Sequence, residues 1–134
     1  MELIPVRAEC VDLIWPKIAS LVERACRKGP THDLDALEVK QLCKDRKHQI
    51  WIAVIGDQVS AVAITGIMGT VCEWIAFAAV SNEGWQEHIG TIEQWAKSQG
   101  CTSMRSYSRP GMKKHIPEGY RTKGIIYEKA LVDG

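Results

Sequence analysis

A single α+β domain, with helices flanking a mixed, mostly antiparallel twisted sheet, is what this 134-residue sequence predicts. Three observations carry that expectation. Apolar residues recur at helical spacing in the first third of the chain, and at Gln49 the pattern changes to that of strands. Two short turn signals, Gly56-Asp57 and Gly69-Thr70, then separate three strand-like runs, which makes those runs antiparallel neighbours. Residues 72–120 read as a strand, an amphipathic helix ending at Gly100, a short strand and a basic loop, the order of a βαβ unit presenting a positive site.

Element by element, residues 3–7 make a short first strand, and Asp12 is expected to cap a helix running to about residue 28. Val11, Ile14, Ile18, Leu21, Val22 and Ala25 form its apolar stripe, and Pro16 falls near the first turn, where a missing N–H does least damage. Gly29-Pro30 ends it. A second, shorter helix covers 34–44, with Asp33 or Asp35 as cap and Leu34, Leu37 and Leu42 as stripe. The three antiparallel strands are 49–55, 58–67 and 71–80, and Glu73 is the one charge in the last. Ser81 or Asn82 caps a helix through Gln99 that turns Trp85, Ile89, Ile92, Trp95 and Ala96 to one side. Because a helix intervenes, the strand at 101–106 must run parallel to the one at 71–80. A short helix around 112–115 and two short strands, around Tyr120 and at 125–131, complete the chain.

The balance of charge narrows the function. Lys and Arg exceed Asp and Glu by one, so the chain as a whole has no strong pull toward nucleic acid, and any electrostatic site is local. Five cysteines without Cys-x-x-Cys spacing read as reduced, mostly buried thiols and point to a cytoplasmic protein. Neither a secretory start nor an apolar run long enough for a membrane span is visible. His32, His48, His88 and His115 are too dispersed for a metal site, and Trp15 and Trp51 are expected in the core.

The element order resembles that of the GNAT N-acetyltransferase superfamily, and short matches add to it. Arg7 followed by Asp12 looks like the family's opening strand and cap, and Ile92-Glu93-x-x-Ala96-x-x-x-Gly100-Cys101 resembles the helix and strand after its acyl-CoA site. Gly119-Tyr120-Arg121 is similar to the family's late Gly-Phe turn, and residues 126–131 to its closing strand. The compact form, with Arg109-Pro110-Gly111-Met112 in the C-terminal loop, looks most like small GNAT-like proteins of tailed phages and prophages.

That resemblance implies acetyl-CoA as cofactor and a primary amine, on a small molecule or a protein, as acceptor. The pantetheine arm would lie along Phe77, Ala78 and Val80, and the pyrophosphate near Gly84 and Gln86, at a helix start whose N–H groups favour anions. The family's glycine-rich loop is here Ser81-Asn82-Glu83-Gly84-Trp85-Gln86-Glu87, which keeps one glycine and adds two acids. Those acids equally suit an ordinary capped helix. Glu73 stands where the family often carries its general base, and His115 and Tyr120, with Tyr107, are candidate acids for the departing thiolate. A pairing of Glu73 with a cation on a neighbouring strand is the plainer alternative.

Arg105, Arg109, Lys113, Lys114, Arg121 and Lys123 face one acid, Glu118, across residues 105–123. Arg109 and Lys113 could meet a CoA phosphate, and the same patch could meet an acidic protein. Nucleic acid is the weaker expectation, because the aromatic ladder of a single-strand binder is missing. Two main functions compete: an acyl-CoA-dependent N-acyltransferase, and a non-enzymatic phage or prophage protein that uses the scaffold to bind a host or virion partner. The first places the protein in the cytoplasm, the second in the host cytoplasm or the virion.

Overall fold

The computed structural model describes residues 2–27, 34–80, 84–107 and 119–131. Five strands form one sheet in the order β1-β2-β3-β4-β5: β1 is Glu2–Val6, β2 His48–Ile55, β3 Gln58–Met68, β4 Val71–Ala79 and β5 Ser103–Ser106. The first four are antiparallel, and β5 lies parallel to β4 as the intervening helix requires. Helices α1 (Val11–Arg27) and α2 (Ala36–Lys44) cover one face, and α3 (Trp85–Ser98) covers the other.

Strand alternation divides the core in two. Ile50, Ile52, Val62 and Ile64 point toward Ile18, Leu21, Val22 and Ala25 of α1, while Trp51, Ala53, Ala61 and Ala63 point toward Trp85 and Ile92 of α3. The alanines keep that second face shallow, so the large rings of α3 can sit close to the sheet. Trp51 meets Trp95 edge to face, with ring centroids 5.0 Å apart.

Several expected boundaries are corrected. Asp12 does not cap α1: a 3-10 turn over Ala8–Cys10 runs straight into the helix, and Asp12 instead pairs with Lys44 at 2.9 Å and Lys40 at 3.4 Å on α2. Pro16 consequently lies inside the helix, on its exposed side, where water can reach the carbonyl left without a helical donor. Asp35 is the cap of α2, accepting from the N–H of Leu37 at 2.8 Å. The cap rotates the expected stripe, so Val39 and Cys43 are buried and Leu37 is exposed.

Gly84 stands at the cap position of α3, in the left-handed conformation at φ 76°, and the expected caps Ser81 and Asn82 lie outside the described residues. The largest difference is at the end of the chain. Residues 120–131 form neither expected strand, and Ile125, Tyr127 and Leu131 stand exposed. Their alternation suits a strand, but among the described residues nothing pairs with them, and pairing is what makes a strand. The expected helix at 112–115 lies outside the described residues.

Candidate functional site

Between Ile64 and Thr65 the pairing of β3 with β4 slips by one residue, leaving Ile75 as a bulge. The bulge resets the phase of β4. Cys72 and Trp74 face α3, Ile75 and Ala76 both face α1, and then Phe77 and Ala79 face α3 again. At the same level β5 leaves: its register with β4 covers only Val71 to Trp74. From 75 to 79, β4 therefore has an outer edge with no strand beside it among the described residues.

What that edge presents can be read from the alternation of backbone groups. Val80 gives its N–H to Ser60 O at 2.7 Å, toward β3, so Ala79 and Phe77 turn their N–H and C=O groups the other way, into the open edge. The Ala79 carbonyl is already met by the guanidinium of Arg24, reaching across from α1. Phe77 remains as the next polar backbone pair along the edge. Its ring lies 4.7 Å from that of Trp85, which closes the α3 side.

Helix α3 begins beside this opening. Gly84 has no side chain with which to cap the first N–H groups, and among the described residues the acid in the first turn is Glu87. Gln86 and Glu87 of the first turn are exposed, while Trp85 and His88 turn inward, their rings 5.5 Å apart. The Nε2 of His88 is buried and has no hydrogen-bond partner among the described residues. A helical side chain leans back over the turn before it, which tips this imidazole toward the start of α3. An orphaned nitrogen in that place is an acceptor or donor still to be matched.

At the closed end of the β4–β5 pair stands Glu73, its side chain 15% exposed and its Oε1 3.9 Å from Nη1 of Arg105 on β5. The cation facing Glu73 is thus an arginine, directly opposite in register. Trp74, the next residue, points to the other face and gives its indole N–H to the hydroxyl of Tyr120 at 3.1 Å. Tyr120 in turn donates to Glu93 Oε2 at 2.7 Å, which ties the C-terminal segment to α3. Burial, reinforced by the Glu93 carboxylate, pushes the Tyr120 hydroxyl well above its ordinary pKa. Its proton is therefore held on Tyr120 through the neutral range.

The expected site residues are thus distributed unevenly. Phe77 and Gly84 border the open edge, Ala78 faces the α1 core, Val80 is exposed, and Glu73 and Tyr120 lie on opposite faces of β4. Arg109, Lys113 and His115 lie outside the described residues. Sequence reasoning missed Arg24, His88 and His48. His48 opens β2, and its ring stands over Gly66 of β3, where a Cβ on that glycine would come within 2.7 Å of its Nδ1. The signal for it was a lone glycine inside an apolar strand.

Among the described residues no group of three His, Cys, Asp or Glu side chains could hold a metal, and no helix is long and apolar enough to cross a membrane. No protein-family model matches the sequence, and no curated protein matches it. Solved structures do match in shape. An aminoglycoside acetyltransferase from an uncultured soil metagenomic sample, solved with sisomicin, superposes with a TM-score of 0.69 at 9% identity, over 97% of this chain and 96% of its own. A GNAT family acetyltransferase of Staphylococcus aureus gives 0.65 at 12% identity, over 98% and 100%. A predicted acetyltransferase of Clostridium acetobutylicum, solved with acetyl-CoA, gives 0.64 at 13% identity, over 96% and 95%. The likeness runs over nearly whole chains in each case, and it shows that this chain has the GNAT-like α+β fold.

Proposed function

We propose that the protein is an acyl-CoA-dependent N-acyltransferase acting on an amine that approaches from the α1–α2 side of the sheet. The observation that carries this reading is the edge of β4 at residues 75–79, open among the described residues, with the Gly84 start of α3 beside it. An extended chain bearing amides at one end and phosphates at the other matches what is on offer. Backbone groups of Phe77 would meet the amides, and the first N–H groups of α3 with His88 Nε2 would meet the phosphoryl end. Glu87 of the first turn is exposed to water, which screens its charge. Acyl-CoA thus fits the residues present, and it would supply an activated thioester carbonyl.

The chain's own part is proton handling and positioning. An amine attacks only when unprotonated, and the Glu73 carboxylate, half-sheltered on the α1–α2 face, can take its proton directly or through one water. Arg105 keeps Glu73 oriented. Tyr120 is less suited to giving a proton away, since its hydroxyl already donates to Glu93. Among the resemblance's candidate acids this leaves His115 and Tyr107 for that role.

Calorimetry with acetyl-CoA is the direct test. Saturable heat is expected, weakened when Gly84→Val forces a β-branched residue into the left-handed conformation at the helix start. Absence of heat at millimolar acetyl-CoA would overturn the reading and leave the scaffold as a binding module.

A further inference from the structure

One rung of the sheet crosses four strands on the α1–α2 face: His48 of β2 pairs with Gly66 of β3, Gly66 with Glu73 of β4, and Glu73 with Arg105 of β5. Residues opposite one another in register share a face, so the imidazole and the carboxylate lie on the same side with only a glycine between them. The space above that glycine is filled by the histidine. A Cβ on Gly66 would fall 2.7 Å from His48 Nδ1 and 2.9 Å from Cε1, so the ring leans across β3 toward β4. Cβ atoms of facing residues on neighbouring strands are about 5 Å apart, which leaves the ring within reach of Glu73 through one water. Ile75, whose Cδ1 lies 3.5 Å from the same point, walls the gap on its apolar side.

The tautomer is fixed as well. His48 Nδ1 lies 2.9 Å from the carbonyl of Lys47, to which it can only donate, so in the neutral ring Nε2 carries the lone pair. The ring also opens on water. His48 and Gly66 line a cleft of about 800 Å³ at the corner where β1 meets the 3-10 turn and α2 meets β2. Among the described residues, the charged groups that line this cleft with the ring are Lys47 and Arg46 at the α2–β2 corner and Arg7 and Glu9 after β1, and the Glu73–Arg105 pair stands across Gly66. Arg46 and Glu9 pair at 3.7 Å and largely offset one another.

We propose that His48 is a positioning residue for proton transfer, acting through Glu73: the two form one coupled pair across Gly66 that drains the acceptor amine's proton into the cleft. This rests on the acyl-transfer reading above. As the amine nitrogen forms the new C–N bond and the thioester C–S bond breaks, the thiolate leaves and takes its proton from the acid named above, while the amine's own proton goes to a Glu73 oxygen, then to His48 Nε2, and His48 releases it to cleft water. Glu73 is thereby returned as a carboxylate, and no other co-reactant is needed. The invariant requirement of the arrangement is the missing side chain at 66.

Coupling can be measured without cofactor or acceptor. In nitrogen-15 NMR of the whole protein at one fixed pH, Glu73→Gln should move the ring resonances of His48, because the carboxylate it removes faces that ring across Gly66. Ring resonances that stay where they were overturn the proposal. Should Glu73→Gln fail to fold, Gly66→Ala, which pushes the ring aside, gives the same comparison, and His48→Gln provides the assignment. In turnover with a panel of primary amines, His48→Gln should reduce kcat about tenfold and flatten the acid limb of the pH profile, with acetyl-CoA affinity unchanged. Unaltered kcat and pH profile would also overturn it. The two readings fail separately: the acyl-transfer reading by absent heat with acetyl-CoA, this one by an unmoved His48.

Discussion

Trp74 on β4 and Glu93 on α3 are joined through a single hydroxyl, that of Tyr120, which accepts from the indole at 3.1 Å and donates to the carboxylate at 2.7 Å. One side chain thus fastens the C-terminal segment to both a strand and a helix.

Tyr120→Phe should cost about 1–2 kcal/mol in urea denaturation, since it strands the partly buried indole N–H and the Glu93 carboxylate together. The same hydroxyl gives a pH signature. Its folded pKa lies above the unfolded value, so the protonated form is preferred in the fold, and the associated stability is complete below about pH 10 and lost as pH rises from there. Tyr120→Phe should remove that alkaline step, and an unchanged alkaline profile would detach Tyr120 from it.

Ile92 has no exposed surface and packs beneath α3 among Trp51, Ala61, Ala63 and Trp85. Ile92→Ala should destabilise by about 2–5 kcal/mol, because the rigid rings around it cannot close the cavity. A loss under about 0.5 kcal/mol, the range of surface positions, would take it out of the core.

Thiol reactivity should follow burial. Burial pushes Cys43 up to about 12 and Cys72 up to about 11, while Cys10 is half-buried. At pH 8 an alkylating reagent should modify Cys10 first and leave Cys43 and Cys72 intact until denaturant is added. Early labelling of Cys43, read by peptide mass spectrometry, would contradict its place between α1 and α2.

Glu73→Gln should slow acyl transfer about 100-fold while leaving acetyl-CoA affinity nearly unchanged, the usual worth of a positioned general base. Loss of affinity without loss of rate would make the Glu73–Arg105 pair a structural tie between β4 and β5 instead.

The sequence by itself determined the element order, the antiparallel run of β2 to β4, the parallel return of β5 and the inward line of α3. Each rests on a local period or a turn, and periods such as Trp85, Ile92 and Ala96 need no knowledge of distant residues. Caps were less legible: Asp12 and Asp35 look alike in sequence, and only the approach of Lys40 and Lys44 decides that Asp12 pairs with a neighbouring helix rather than capping its own. The closing strand at 126–131 had the right alternation, but a strand exists only where another backbone accepts its hydrogen bonds. The same reason governs the site. Glu73 could be named from its place in an apolar strand, whereas its neighbours, Arg105 across one ladder and His48 across two, were chosen by register, and register belongs to the sheet as a whole and to the glycine that lets a ring cross it.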